Sequence, residues 1–246
     1  MCRLAAYIGP ELRLDQLLLT PPHSLLVQAA SGFGFGWYGE DGAPAVYLNP
    51  LPPWADVNLP HLARTLYSDL WLAQVHSATP PHGNGFMNNQ PFQDGELLFL
   101  HQGFLDDFRS LRRTVRDFLD PAIEEEIHGN SASEHIFALL RHLLADDAEL
   151  AIEDALAELF GLLGGWLEGR KALLNVVVSD GERLYAARHA CNTDSPNLYY
   201  TIDDESFPEG QLIASERITD TEFWLPVPPS HLLILDPDAP PELLAL

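Results

Sequence analysis

Residues 2–8, Cys-Arg-Leu-Ala-Ala-Tyr-Ile, alternate enough to predict a strand, and Gly9-Pro10 would end it. Segments 32–39 and 45–48 predict two more strands joined through Asp41-Gly42, a dipeptide favoured in tight hairpins. Residues 70–77 and 97–101 have the same β-like character. Between them runs a Pro-, Gly- and Asn-rich stretch, 80–93, long enough to be a functional loop. The period then changes. From 104 to 128, Leu111, Val115, Phe118 and Leu119 recur at three- and four-residue spacing beside Arg112, Arg113 and Arg116, which predicts a helix. A second helix follows, capped by Ser131 or Ser133, with Ile136, Leu139, Leu140, Leu143 and Leu144 as its apolar stripe. A third, 151–163, would stop at Gly164-Gly165. β-like segments return at 172–179, 184–189, 198–202, 211–214 and 232–235.

Strands, then helices, then strands imply packed sheets covered by helices, an α+β fold, and not a regular βαβ alternation. No internal repeat and no Gly/Ser linker divides the chain, so 1–246 is expected to be a single domain.

Composition adds mainly exclusions. Hydrophobic residues make up 46% and charged residues 20%, which excludes wholesale disorder. Lys and Arg number 13 against 36 Asp and Glu, a formal net charge of −23. That field repels phosphate backbones and anionic lipid headgroups, so no nucleic-acid and no membrane-surface partner is expected. Apolar runs such as Leu17-Leu18-Leu19 are soon broken, and none approaches the roughly twenty residues that span a bilayer. The first residues carry no signal-peptide pattern, and a cytoplasmic location is expected.

Cys2 and Cys191 are too few for a disulfide framework and lack the paired spacing of a zinc site. Cys2 follows the initiator methionine. Were Met1 clipped, thiol and free α-amine would share one residue, and an amine titrating near pH 7.7–8.0 can take the thiol's proton and return it to a leaving amine. A small residue opening an edge strand fits the same position. Cys191 has no such amine, and a structural thiol is expected there.

Further segments bear on Cys2. Cys2-Arg3, Gly32-Phe33-Gly34-Phe35-Gly36-Trp37-Tyr38, Val75-His76-Ser77-Ala78-Thr79-Pro80, Asn89-Gln90-Pro91-Phe92 and His101-Gln102-Gly103 occur in one characteristic order. Ser131-Ala132-Ser133-Glu134-His135, Asp180-Gly181-Glu182, Leu198-Tyr199-Tyr200 and Ala214-Ser215-Glu216 continue it. Together they resemble the class II glutamine amidotransferases, which are N-terminal-nucleophile hydrolases, and within them the stand-alone branch related to the ergothioneine-pathway amidohydrolase. The resemblance implies a four-layer αββα sandwich with Cys2 as nucleophile between two sheets. It implies attack on a small-molecule amide through a γ-glutamyl thioester, with no metal and no organic cofactor. Ammonia would be released or passed to a partner enzyme, and homo-oligomers are compatible with it. Thr79, Ser215 and Glu216 would lie at the substrate cleft.

Three departures accompany the resemblance. Where relatives hold the oxyanion with an Asn amide and the next Gly N–H, this chain has Gln102 and Gly103. The extra methylene moves the donor by roughly an ångström, a misplacement that can cost about a hundredfold. His76 stands where relatives grip the substrate's α-carboxylate with Arg, and a largely neutral imidazole lacks the bidentate charged fork. Ala132 stands where relatives set an Asp against the α-ammonium group. Both ends of a glutamine zwitterion thus lose a partner, which implies altered head-group recognition or a catalytically impaired binding module.

Other signals are explained without special chemistry. Gly34, Gly36 and Gly39 satisfy G-x-G-x-x-G literally, but no helix pattern follows, so strand glycines are expected. His76, His82 and His101 have irregular spacing and no nearby carboxylate, which favours polar packing over a metal site. Glu124-Glu125-Glu126 reads as a solvated helix face, and Trp71, Phe86 and Phe92 as pocket or core aromatics.

Overall fold

In a computed structural model, which describes residues 2–28, 31–76, 85–202 and 204–246, the alternation at the N-terminus becomes strand β1 (Cys2–Arg13). Helix α1 (Leu14–Leu18), strands β2 (Phe33–Tyr38) and β3 (Pro44–Asn49), helix α2 (Leu59–Ala63) and strand β4 (Tyr67–His76) follow. Strands β5 (Phe92–Gln93) and β6 (Leu98–Leu105) lead into helices α3 (Phe108–Phe118), α4 (Pro121–Glu125), α5 (Ala132–Asp146) and α6 (Ile152–Leu167). The chain then returns to strand: β7 (Ala172–Ser179), β8 (Leu184–Cys191), β9 (Tyr199–Thr201), β10 (Gln211–Ala214), β11 (Leu225–Pro226), β12 (His231–Asp236) and β13 (Ala239–Ala245).

Two antiparallel sheets result. The first has the order β11-β9-β10-β1-β4-β2-β3, the second β13-β12-β8-β7-β6-β5. The period of two sorts their side chains. Leu4, Ala6 and Ile8 of β1 and Leu70 and Leu72 of β4 meet Leu98, Leu100, Val177, Ala186 and Leu233 of the second sheet in an inter-sheet core. Leu174, Val176 and Val178 point the other way, onto Leu111 and Val115 of α3, Leu139 and Leu140 of α5 and Leu156 and Leu159 of α6. Beneath the first sheet, Tyr7, Phe35 and Trp71 pack on Leu14, Leu17 and Leu18 of α1 and Leu59 and Ala63 of α2. The architecture is the αββα sandwich, with its outer layer on the first sheet reduced to two five-residue helices and connecting segments.

Several boundaries differ from those the pattern predicts. β1 runs past Gly9-Pro10 because its pairing with β4 skips from Ile8 to Leu12, a bulge that leaves the Pro10 position out of the ladder. β6 extends to Leu105, and the predicted 104–128 helix is two helices, separated where Asp120 accepts a hydrogen bond from Ala122 N at 2.8 Å ahead of Pro121. Ser131 is the cap of α5, accepting from Glu134 N at 3.2 Å. α6 passes through Gly164-Gly165 and ends at Glu168, in the left-handed region with φ of 49°. Among the described residues no helix is long and apolar enough to cross a membrane.

Candidate active site

The alternation that fills the inter-sheet core with leucine turns polar at one end. On β1 and β4 the inward face is the even-numbered one, which carries Cys2, Gln74 and His76 beyond the last aliphatic residues. Cys2 and His76 are direct partners in the β1–β4 ladder. On β6 the inward series Leu98, Leu100 continues to Gln102, and on β7 the series leads from Val177 to Asn175, the ladder partner of Gln102. A buried leucine would contribute about 1.5–3 kcal/mol at each such position, so this polar end is stability the fold forgoes.

The side chains engage one another. Cys2 Sγ lies 3.0 Å from His76 Nδ1. Gln102 Nε2 donates to the Cys2 carbonyl at 2.5 Å, while Asn175 Nδ2 donates to Gln102 Oε1 at 3.1 Å and to the Asn197 carbonyl at 2.8 Å. The amide orientation of Gln102 is therefore fixed from both ends. Gln74 and Gln90 each donate to the His101 carbonyl, at 3.1 and 3.0 Å, and His101 N donates to Gln90 Oε1 at 2.6 Å. Burial pushes the Cys2 thiol up, against the pull of the chain's amino terminus. Burial also pushes His76 down, aided by that terminus and opposed by a hydrogen bond with Asn89. Both shifts favour a neutral thiol facing a neutral imidazole.

Gly103 and His101 stand on the helix side of β6. A Cβ at Gly103 would fall 1.7 Å from the Leu173 carbonyl oxygen, so the close approach of β7 admits only glycine. The His101 ring is fully buried between Ser133 Oγ, 2.8 Å from Nδ1, and the Leu173 carbonyl, 3.0 Å from Nε2, and burial holds its pKa at about 4. Ser133, one of the two expected caps, instead ties α5 to this histidine. Ala132 is the first residue of α5 and packs beside the helical core.

Ser215 joins β10 to β1: its N–H donates to the Leu4 carbonyl at 3.1 Å and its Oγ accepts from Leu4 N at 3.2 Å. Glu216 pairs with Arg3 at 3.0 Å. Thr79 and His82 lie outside the described residues. Among those described, no group of three His, Cys, Asp or Glu is placed to hold a metal ion. Gly34 sits in strand β2, where a Cβ would meet the Gln90 carbonyl oxygen at 2.2 Å, and this close approach brings the segment carrying Asn89 and Gln90 onto the sheet. Trp71 is core, Phe92 stacks on Phe137 and Phe86 is exposed. Phe86, Phe92 and Phe137 line a cavity of about 330 Å³ together with Asn89 and Arg141. Cys191 lies on β8, 3.8 Å from His189 Nε2, its thiol pushed up by burial. Sequence reasoning missed Asn175; its signal is one amide inside the apolar run 173–178.

A family model described as class-II glutamine amidotransferases matches residues 23–212. A γ-glutamyl-hercynylcysteine sulfoxide hydrolase of Mycobacterium tuberculosis is 30% identical over 246 aligned residues, covering 95% of this chain and 92% of that protein. Its counterpart from Mycolicibacterium smegmatis is 28% identical, covering 95% of each. Among solved structures, a glutamine aminotransferase class-II domain protein from Silicibacter pomeroyi superposes with a TM-score of 0.77 at 24% identity over 99% of both chains. The glutamine phosphoribosylpyrophosphate amidotransferase of Bacillus subtilis follows the same fold with a TM-score of 0.69 at 15% identity, over 99% of this chain and 49% of that one.

Proposed function

This chain belongs to the class II glutamine amidotransferases, and from that premise we propose that it hydrolyses an amide other than free glutamine, with Cys2 as the nucleophile. The observation that carries the reading is the 3.0 Å contact between Cys2 Sγ and His76 Nδ1 at the polar end of the inter-sheet layer. Removal of Met1 frees the Cys2 α-amine to receive the thiol proton. The thiolate attacks the carbonyl carbon, a thioester forms as the amine leaves, and water releases the acid. Gln102 and Gly103 are the oxyanion-side residues. Relatives named as hydrolases of a γ-glutamyl compound suggest the substrate class, a γ-glutamyl amide. The site's own residues add the restriction: a buried ring at His76 and a methyl at Ala132 offer free glutamine neither a charged fork nor a carboxylate.

The test combines intact mass with turnover. We expect mature protein lacking Met1 that turns over γ-glutamyl p-nitroanilide or a simple carboxamide faster than glutamine, with all turnover lost in Cys2→Ala. Robust glutamine hydrolysis abolished by Cys2→Ala would refute the altered specificity. A specific observation favours the second reading, an impaired binding module: Gln102 is tied to the Cys2 carbonyl and to Asn175. Its signature is no turnover on any of the three amides.

A further inference from the structure

We propose that Asn175 is a positioning residue for the oxyanion side of this site: it sets which way the Gln102 amide points, and thereby whether a side-chain N–H faces the reacting carbonyl at all. The inference rests on the reading of Gln102 as an oxyanion-side residue and names what aims it. Asn175 is fully buried on β7, opposite Gln102 in the β6–β7 ladder. Two side-chain amides in series, Asn175 and Gln102, link two backbone carbonyls, those of Asn197 and Cys2. A carbonyl only accepts, so each end of the series demands a donor. The Asn197 carbonyl, 2.8 Å away, therefore fixes the Asn175 amide with Nδ2 turned to it. The same nitrogen donates its other hydrogen to Gln102 at 3.1 Å, which makes the receiving atom Oε1 and leaves Nε2 for the Cys2 side. Turned the other way, the pair would set Asn175 Oδ1 against the Asn197 carbonyl and Gln102 Oε1 against the Cys2 carbonyl, acceptor facing acceptor at both ends. Only the first arrangement supplies both. Asn175 Oδ1 is buried with no partner among the described residues, so the fold carries an unpaired acceptor there while both hydrogens of the amide are committed.

The reference point of this series is held from a further strand. Arg188, the ladder partner of Asn175 on β8, donates from Nε to the Pro196 carbonyl at 2.7 Å and from Nη1 to the Val227 carbonyl at 2.6 Å. Val227 N in turn donates to the Leu198 carbonyl at 2.9 Å. The chain is thus pinned on both sides of Asn197, and its carbonyl stays where Asn175 needs it. Of the two hydrogens on Gln102 Nε2, one goes to the Cys2 carbonyl and the other is free for the negative charge that develops on the substrate oxygen. Were Gln102 to turn over, that oxygen would meet Oε1, a repulsion where a donor is required. The action of Asn175 on the reaction runs through Gln102.

The test uses the mature, full-length protein and two variants of nearly equal size. Asn175→Leu removes the donor. Asn175→Asp replaces it with an acceptor that the neighbouring Arg188 keeps ionised, so that Gln102 turns Nε2 towards the carboxylate and Oε1 towards the reacting carbonyl. We expect kcat on whichever amide is turned over to fall about tenfold in Asn175→Leu and about 10²–10³ in Asn175→Asp, with KM within about threefold of wild type. Alkylation of Cys2 by iodoacetamide develops no oxyanion, so its rate should stay within about twofold of wild type in both variants and reports the fold and the thiol. In a Gln102→Leu background, Asn175→Leu should cost less than about twofold more, whereas a residue that only packs would add its full effect. A substrate-independent reading comes from NMR: the Gln102 side-chain NH2, identified by its absence in Gln102→Leu, should exchange with solvent at least about threefold faster in Asn175→Leu. Wild-type kcat in both variants, a loss that adds in full to that of Gln102→Leu, or unchanged exchange of the Gln102 NH2 would overturn the proposal and leave the proposed function standing. Faster exchange in Asn175→Leu with none of the three amides hydrolysed by the wild-type protein would do the reverse.

Discussion

Gln102 carries the residue-scale question, because both ends of its amide are occupied. Nε2 donates to the Cys2 carbonyl at 2.5 Å and Oε1 accepts from Asn175. An amide so held has one N–H left for a developing oxyanion, aimed by a side chain one methylene longer than relatives use. Gln102→Asn withdraws the group by about 1.5 Å, one carbon–carbon bond, and frees the Cys2 carbonyl. The expected outcome in steady-state kinetics is a kcat raised about tenfold or more on whichever amide is turned over. A kcat unchanged or lowered would show that the length of Gln102 does not limit the rate. Cys2, Gln102 and Gly103 are legible in the sequence because each sits in a short motif. The contact between Cys2 and His76 is not, since it depends on a strand register that joins residues 74 apart. Asn175 escapes for a related reason: only the pleat shows that it shares an inward face with Gln102.

At the scale of elements, local signals hold wherever tertiary burial agrees with them. The hairpin at Asp41-Gly42, the Ser131 cap and the β7 and β8 strands all follow the pattern. Gly164-Gly165 shows the opposite case. Two helix-disfavouring residues, each costing roughly 1 kcal/mol, are overridden because Leu163 and Leu167 are both fully buried one turn apart and Trp166 meets Phe118 with ring centroids 5.2 Å apart. β6 outruns its prediction likewise: the apolar residues after Gly103 resemble a helix start, but pairing with β7 continues as far as Leu105 opposite Ala172. Because α6 is held by packing, its exposed glycines are weak points to be filled. A Cβ at Gly161 or at Gly165 meets nothing within 4 Å. Gly161→Ala with Gly165→Ala should add about 1–2 kcal/mol together, read as a Tm higher by about 2–8 °C. A Tm unchanged or lower would mean that the helix is frayed at these positions.

At the scale of the whole molecule, sheet order and charge act over distances no sequence window covers. β1 lies between β10 and β4, its ladder partners about two hundred positions away in the chain on the β10 side and 54 to 74 away on the β4 side; strand existence was readable, this pairing was not. Charge gives the molecule-wide prediction. With a net −23, acidification to the carboxylate range relieves self-repulsion, but that range lies near pH 4. Above it, the shifted histidines decide the sign. His101 and His135 are both held at about 4 by burial, and His135 is held down further by Arg116, whose Nε lies 3.3 Å from its Nε2. In the unfolded chain the same residues titrate near 6.5. Between those values the unfolded state binds protons that the folded state refuses, so stability is lost as pH falls through 6.5 towards 4. His76 and His189 are shifted in the same direction, also by burial. For His101 and His135 the loss near pH 5.5 is about 1 kcal/mol each, which a thermal melt would register as a Tm about 4–8 °C below that near pH 7. His101→Gln should be less stable at both pH values yet show a smaller drop between them. A Tm that is flat or rises on acidification to pH 5.5 would mean that the long-range field of the carboxylates outweighs the buried rings, and that these histidines take up protons without unfolding the protein.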